Sequence, residues 1–194
     1  MRSSEMERKT KETSVKININ VDGSGEYDIC TGVGFFNHML ELFSKHGLFD
    51  IRVQSEGDLE VDSHHLIEDV GIVLGQAFKE AIGFKEGIKR YGASFCPMDE
   101  ALAMVCVDVS GRPYLVFEAD FTVEKIGDMS TEMIEEFFRA FVNNAGITVH
   151  VKILSGKNNH HMAEAIFKAF GMALKEALEI DERIKGVNST KGVL

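Results

Sequence analysis

Val15, Ile17, Ile19 and Val21 alternate with polar residues, the two-residue period of a half-buried strand. Asp22-Gly23-Ser24-Gly25 then supplies a turn, and Tyr27 to Thr31 reads as the returning strand. From Gly34 the period lengthens. Phe36, Met39, Leu40 and Phe43 fall on one helical face, with Gly47 as the expected stop. Phe49 to Ser55 reads as a strand, Gly57-Asp58 as a turn and Leu59 to Val61 as a short extended piece. A second helix is expected from about Ser63 to Ile82, capped by Asp62 or Ser63.

Ile88 to Gly92 joins this half to the next. Ala101 to Val109 is an apolar strand, Ser110-Gly111-Arg112-Pro113 a turn, and Tyr114 to Glu118 a further strand. Ser130 or Thr131 should cap a helix reaching Asn144, with Ile134, Phe137, Phe138 and Phe141 inward. Ile147 to Leu154 is a strand, and the last helix runs from about His160 to Leu178. Each half thus reads strand, strand, helix, strand, helix. The expectation is an α+β fold of duplicated half-domains, two mixed sheets packed with helices. One domain would span 1–194, with pseudo-repeats at about 10–87 and 88–185 and a C-terminal substrate-binding tail.

Duplication is also written residue by residue. Asp62-Ser63-His64-His65-Leu66-Ile67-Glu68-Asp69 returns as Asn158-Asn159-His160-His161-Met162-Ala163-Glu164-Ala165, at a constant offset of 96 residues. Gly75 and Gly171, Ala77 and Ala173, and Lys79 and Lys175 continue the register. On a helix either histidine of a pair can share a face with the glutamate. The two histidines themselves are about 100° apart and cannot easily converge on one ion. Two metal ions are therefore expected, each taking one nitrogen from each pair; imidazole and carboxylate suit Mn, Fe or Zn. Exposed histidines that merely begin a helix are the plain alternative, and in-register repetition weighs against it. Two such ions would still lack ligands, which draws in His38 at a helix start and His150 in a strand. His46, in a last helical turn where a cation suits the helix dipole, reads as structural.

Composition narrows the class. The 194 residues are 44% hydrophobic and 27% charged, ordinary for a globular chain, and the formal charge of −10 argues against nucleic-acid or acidic-membrane partners. An anionic substrate would need a local pocket of Arg and Lys. Cys30, Cys96 and Cys106 show no ligand spacing and read as core residues of a reducing compartment. Met1 to Lys11 has neither the apolar run of a signal peptide nor the pattern of a transit peptide, and no stretch is long enough to span a membrane. A cytoplasmic location is expected. In the tail, Ser189 and Lys191 offer a hydroxyl and an ammonium that could share a phosphate, although a glycine-bearing terminus could equally fray.

Gly32 to Leu40, Asp62 to Asp69, Pro97 to Leu102, Asp108 to Pro113, Asn159 to Phe170 and Ser189 to Leu194 together resemble the signature segments of imidazoleglycerol-phosphate dehydratases, from about Arg8 onward. The resemblance implies a carbon–oxygen lyase of histidine biosynthesis, dehydrating imidazole glycerol phosphate to imidazole acetol phosphate. It implies two manganese ions, with His38, His65, Glu68 and His160 on one and His64, His150, His161 and Glu164 on the other. Substrate contacts would come from Glu12, Arg90, Arg112, Lys168, Ser189 and Lys191. Glu12 would be the proton-transfer candidate, counted as catalytic with His64, His65, His160 and His161. A homo-oligomer is implied too, a shell of twenty-four subunits with metal sites completed between them.

The chemistry fits that inventory. The hydrogen lost in this elimination is not acidic, so the substrate's own imidazole must relay electrons. A cation at each ring nitrogen favours the anionic ring that can do so. Arg90, Arg112, Lys168, Ser189 and Lys191 would hold the phosphate. Four positions depart from the family pattern: Asn37 for Asp, Leu66-Ile67 for Thr-Val, Met172 for Arg and Asn188 for Pro. An Asp at position 37 could orient the adjacent ligand histidine, so Asn37 raises the question of altered metal affinity. Two other readings compete. A dinuclear metal hydrolase would release phosphate from the same ester. An ion-stapled storage or structural assembly would turn nothing over and would leave the Arg and Lys residues without a purpose.

Overall fold

A computed structural model describes residues 1–194. The first half contains strands β1 (Ser3–Lys9), β2 (Thr13–Asn20) and β3 (Tyr27–Cys30), helix α1 (Gly34–Gly47), strand β4 (Asp50–Gly57) and helix α2 (His64–Ile82). The second contains β5 (Tyr91–Met98), β6 (Ala101–Asp108), β7 (Tyr114–Glu118), a small ribbon of β8 (Lys125–Ile126) and β9 (Met129–Ser130), α3 (Glu132–Ala145), β10 (Thr148–Ser155) and α4 (Asn159–Leu178). The sheets are ordered β1-β2-β4-β3 and β5-β6-β10-β7, mixed in both cases and identical in plan. Apart from the β8–β9 ribbon, which the hydrophobic pattern did not give either, each half has one strand more than expected, β1 in the first and β5 in the second.

The Tyr27 strand corrects another expectation. It does not return along β2; it pairs in parallel with β4, which lies between them. Leu59 to Val61 is a turn, with the Val61 N–H donating to the Asp58 carbonyl at 2.8 Å. Helix α1 stops one residue beyond Gly47, at Leu48 with φ 56°. Gly47 is needed for room: a Cβ there would lie 2.5 Å from the Phe49 ring.

Strand alternation is clean where one face is buried. Val15, Ile17 and Ile19 of β2 and Ala103, Val105 and Val107 of β6 point inward. Each sheet packs its inner face on the helices of its own half, and the halves meet helix to helix, α2 on α3 and α1 on α4. Phenylalanines from all four helices fill that seam, Phe36 and Phe43 against Phe137, Phe141 and Phe170. Burying each is worth about 2–3 kcal/mol, so the seam is the main source of cohesion. The inward residues expected for α1 and α3 are all fully buried. Of the cysteines, Cys96 is buried and Cys106 half-buried, but Cys30 is exposed on the edge strand β3.

The candidate metal and phosphate sites

Each motif sits at the N-terminus of its helix because an Asx side chain ends the preceding loop. Asn158 accepts hydrogen bonds from the backbone N–H groups of His160 (2.9 Å) and His161 (3.4 Å), and Asp62 accepts from His64 (2.7 Å). Ser63 and Thr131 occupy cap positions but make no side-chain cap bond.

On α4 the four-residue spacing stacks His160 over Glu164, with Nε2 2.9 Å from Oε1. His38 arrives from α1, its Nε2 3.1 Å from the same oxygen. Lys168, one turn further on, donates to Glu164 Oε2 at 2.6 Å. Glu164 is only 7% exposed. Burial pushes its carboxyl up, but the Lys168 ammonium and the two imidazoles outweigh that and hold it at about 2. His38, His160 and Glu164 offer three ligating atoms within 4.8 Å of one another. Two imidazoles and a carboxylate so gathered fit a borderline divalent cation. The grouping differs from the one the resemblance implied, because Glu164 stands with His38 and His160.

His161 projects the other way. Its Nδ1 donates to Glu100 Oε2 at 2.8 Å, while Glu100 Oε1 accepts from the backbone of Lys157 and Asn158. The imidazole and those amides hold Glu100 at about 2, and the carboxylate raises the His161 pKa in turn. On α2, His65 Nδ1 donates to Asp58 at 3.0 Å, and Asp58 raises the pKa of His65. Glu12, in the β1–β2 turn, stands 3.8 Å from the same nitrogen. Glu12, Asp58 and His65 form the second convergent group, while His64 and Glu68 are exposed.

His150 lies apart from both groups. It is exposed on the outer face of β10, between Cys106 and Val116 on the flanking strands. On that same face, at the end of the sheet, Arg90 forms a two-pronged bond to Asp108, at 2.7 and 3.1 Å, and donates to the Asn188 carbonyl at 2.9 Å. Arg90 is buried, held at φ 76°, and faces the Tyr91 ring. Two of its five N–H donors remain free. Arg90, Arg112, Ser189 and Lys191 line a shallow cleft of about 420 Å³. Lys168 is not among them; it belongs to the Glu164 group. The tail is folded onto the body, where Asn188 Nδ2 donates to the Lys89 carbonyl, a bond that proline could not make.

Three of the sequence's open questions close here. Asn37 faces away from His38; its Oδ1 accepts from the Thr31 amide and hydroxyl, bonds an Asp would also accept. Met172 packs against the core. Burial and the nearby Lys168 push His46 toward the neutral form, which weakens its interaction with the helix end. Asp58 and Glu100, by contrast, were missed. Glu100 lies 61 residues from His161, beyond any local spacing signal.

Fold and side chains define a class: an α+β enzyme that keeps imidazole–carboxylate groups apart from a cationic cleft fit for a phosphate ester. A family model described as imidazoleglycerol-phosphate dehydratase matches residues 31–174. A relative of that description from Clostridium botulinum is 64% identical over 96% of this chain and 95% of its own. Another, from Acetivibrio thermocellus, is 63% identical over 100% of this chain and 99% of its own. The solved Staphylococcus aureus enzyme superposes with a TM-score of 0.84 at 46% identity, covering 92% of this chain and 99% of that one. The chain belongs to the imidazoleglycerol-phosphate dehydratase family. It is a hydro-lyase of histidine biosynthesis that dehydrates imidazoleglycerol phosphate, and the hydrolase and storage readings fall away.

Proposed function

We propose that this dehydratase works as a cytoplasmic homo-oligomer, of the twenty-four-subunit kind the resemblance implies, with two divalent ions, manganese by preference, in each active site between subunits. The chain would count as one domain, 1–194, of two repeats and a tail. One observation carries the reading: the required side chains are all present, yet one chain holds them in separate places. His38, His160 and Glu164 meet in one, Glu12 and His65 in another, and His150 shares a third sheet face with the phosphate cleft. The face around His150 is apolar for an exposed surface, with Tyr91, Phe95, Tyr114 and Leu154 all more than 40% exposed. A second copy seated there would cover that surface and complete the set.

His38, His160 and Glu164 would hold one ion, joined by the outward Nε2 of His65 from another copy. His64 and Glu68 would hold the other, joined by His150 and His161. A bound divalent ion supplies Lewis-acid stabilisation of negative charge on an imidazole nitrogen. The residues of the chain do the rest. Arg112 and the free N–H groups of Arg90 grip the phosphate with Ser189 and Lys191, which fixes the glycerol chain by its far end. Lys168 keeps Glu164 ionised and in place. Glu12, exposed and flanked by Thr10 and Thr13, takes the carbon-bound proton.

Turnover of imidazoleglycerol phosphate by metal-stripped protein, before and after manganese, tests this together with light scattering. Imidazole acetol phosphate should form only with metal and only in the assembled particle. Equal turnover without metal, or by a monomer, overturns the reading.

A further inference from the structure

The two halves share one plan, so residues can be matched by position. Strands β2 and β6 begin at Thr13 and Ala101, an offset of 88, and the pairings of Lys9 with Ser14 and Pro97 with Leu102 keep that register. Glu12 and Glu100 are therefore counterparts, each the last residue before its strand. Both lie beside the second histidine of their own half's motif. Glu100 Oε2 is 2.8 Å from His161 Nδ1, and Glu12 Oε2 is 3.8 Å from His65 Nδ1. What differs is Asp58. It follows β4, in a turn fixed by its own carbonyl, and it occupies His65 Nδ1 at 3.0 Å. The position corresponding to Asp58 in the second half, before α4, has no carboxylate on His161.

We infer that Asp58 and Glu100 are positioning residues that hold His65 and His161 with Nδ1 protonated and Nε2 turned outward to a metal ion, and that Asp58 thereby leaves Glu12, the counterpart of Glu100, free for proton transfer. A carboxylate can only accept, so the proton must sit on Nδ1 and the lone pair on Nε2. A carboxylate behind a ligating imidazole also raises its basicity. The shared plan puts a glutamate at the same place in both halves: Glu100 has the orienting role in one, and Asp58 relieves Glu12 of it in the other. This inference rests on the reading of His65 and His161 as metal ligands.

Glu100→Gln is the sharpest test. Oε1 already accepts two backbone N–H groups, which pins the amide oxygen there and turns the NH2 toward His161. The ring must then accept at Nδ1 and carry its proton on Nε2, the wrong end for a metal. Asp58→Ala is made in a Glu12→Ala background, since Glu12 stands close enough to take its place. Manganese titration of the assembled protein, followed by the paramagnetic signal of free ion, should show one ion of each pair bound about 10–100-fold more weakly in either variant. Circular dichroism should be unchanged, and Glu100→Asp should restore most of the affinity. Wild-type affinity for both ions in both variants overturns the inference. His65→Ala and His161→Ala are titrated alongside. If they too keep both ions, the ligand reading has failed; if they lose an ion while the carboxylate variants do not, only the positioning role has.

Discussion

The two copies of His-His-x-x-Glu are nearly the same in sequence and differ sharply in setting. Glu164 is buried, bonded to His38 and His160 and backed by Lys168 one turn later. Glu68 is exposed, and Ile72 stands where the lysine would be. The sheets behind the motifs diverge in the same sense. Across the first sheet one outward row reads Glu5, Asn18, Arg52 and Asp28; the matching row of the second reads Ala93, Cys106, His150 and Val116. Duplication preserved the interior and released the surface. One copy carries a buried ligand group on a half whose outer sheet face is apolar; the other carries an exposed group on a half whose outer sheet face is charged and polar.

Making the second face resemble the first should have the largest effect. Phe95, 61% exposed, matches Glu7 in the first sheet. Phe95→Glu removes about 2 kcal/mol of apolar burial per contact and puts an unpaired carboxylate into it. Association should weaken by at least about 100-fold, and light scattering should show small species with little turnover. Glu7→Ala should leave the particle mass as it was. A full-sized particle from Phe95→Glu would place the contact elsewhere.

Next comes the buried pair. Lys168→Met leaves Glu164 facing its carboxylate into the protein without a cation, which typically costs about 3 kcal/mol or more. Chemical unfolding of the metal-free protein should show a loss of that size. A loss under 1 kcal/mol would mean that His38 and His160 alone satisfy the carboxylate.

The interior predicts likeness between the copies. A Cβ on Gly75 would lie 2.6 Å from the Phe141 carbonyl of α3, and one on Gly171 would lie 2.6 Å from the Phe43 carbonyl of α1. Gly75→Ala and Gly171→Ala should each destabilise by about 1–3 kcal/mol, measured by the same unfolding. Loss at one position and none at the other would show that the two helix crossings are not equivalent.

How far such matters could be read from the chain depends on what each residue faces. Strands β2, β4, β6 and β10 and all four helices were legible, because each carries apolar residues at a fixed period on its buried side. Strand β1 was not, since its inward Ser4 and Arg8 are spent on hydrogen bonds to the Ala77 carbonyl and Asp69. Strand β5 is inverted: Gly92, Ser94 and Cys96 face α4, where a Cβ on Gly92 would lie 2.0 Å from the Ala173 carbonyl, and Phe95 faces out. The histidines announced themselves through the repeat. Their grouping did not, because His38 reaches Glu164 across 126 residues of chain.

The smallest effect is the most selective probe of the comparison. Ile72→Lys writes the second copy's lysine into the first, four residues after Glu68. Glu68 is exposed and Ile72 only half-buried, so water screens the new pair and it should contribute no more than about 0.5 kcal/mol. Lys168 in its own setting is worth several times that, although the two pairs have the same spacing on the same kind of helix. Unfolding of Ile72→Lys beside Lys168→Met therefore separates the pair from its surroundings. If Ile72→Lys stabilised the chain as strongly as Lys168→Met weakened it, burial would not be what distinguishes the copies, and the divergence of the motifs would need another cause.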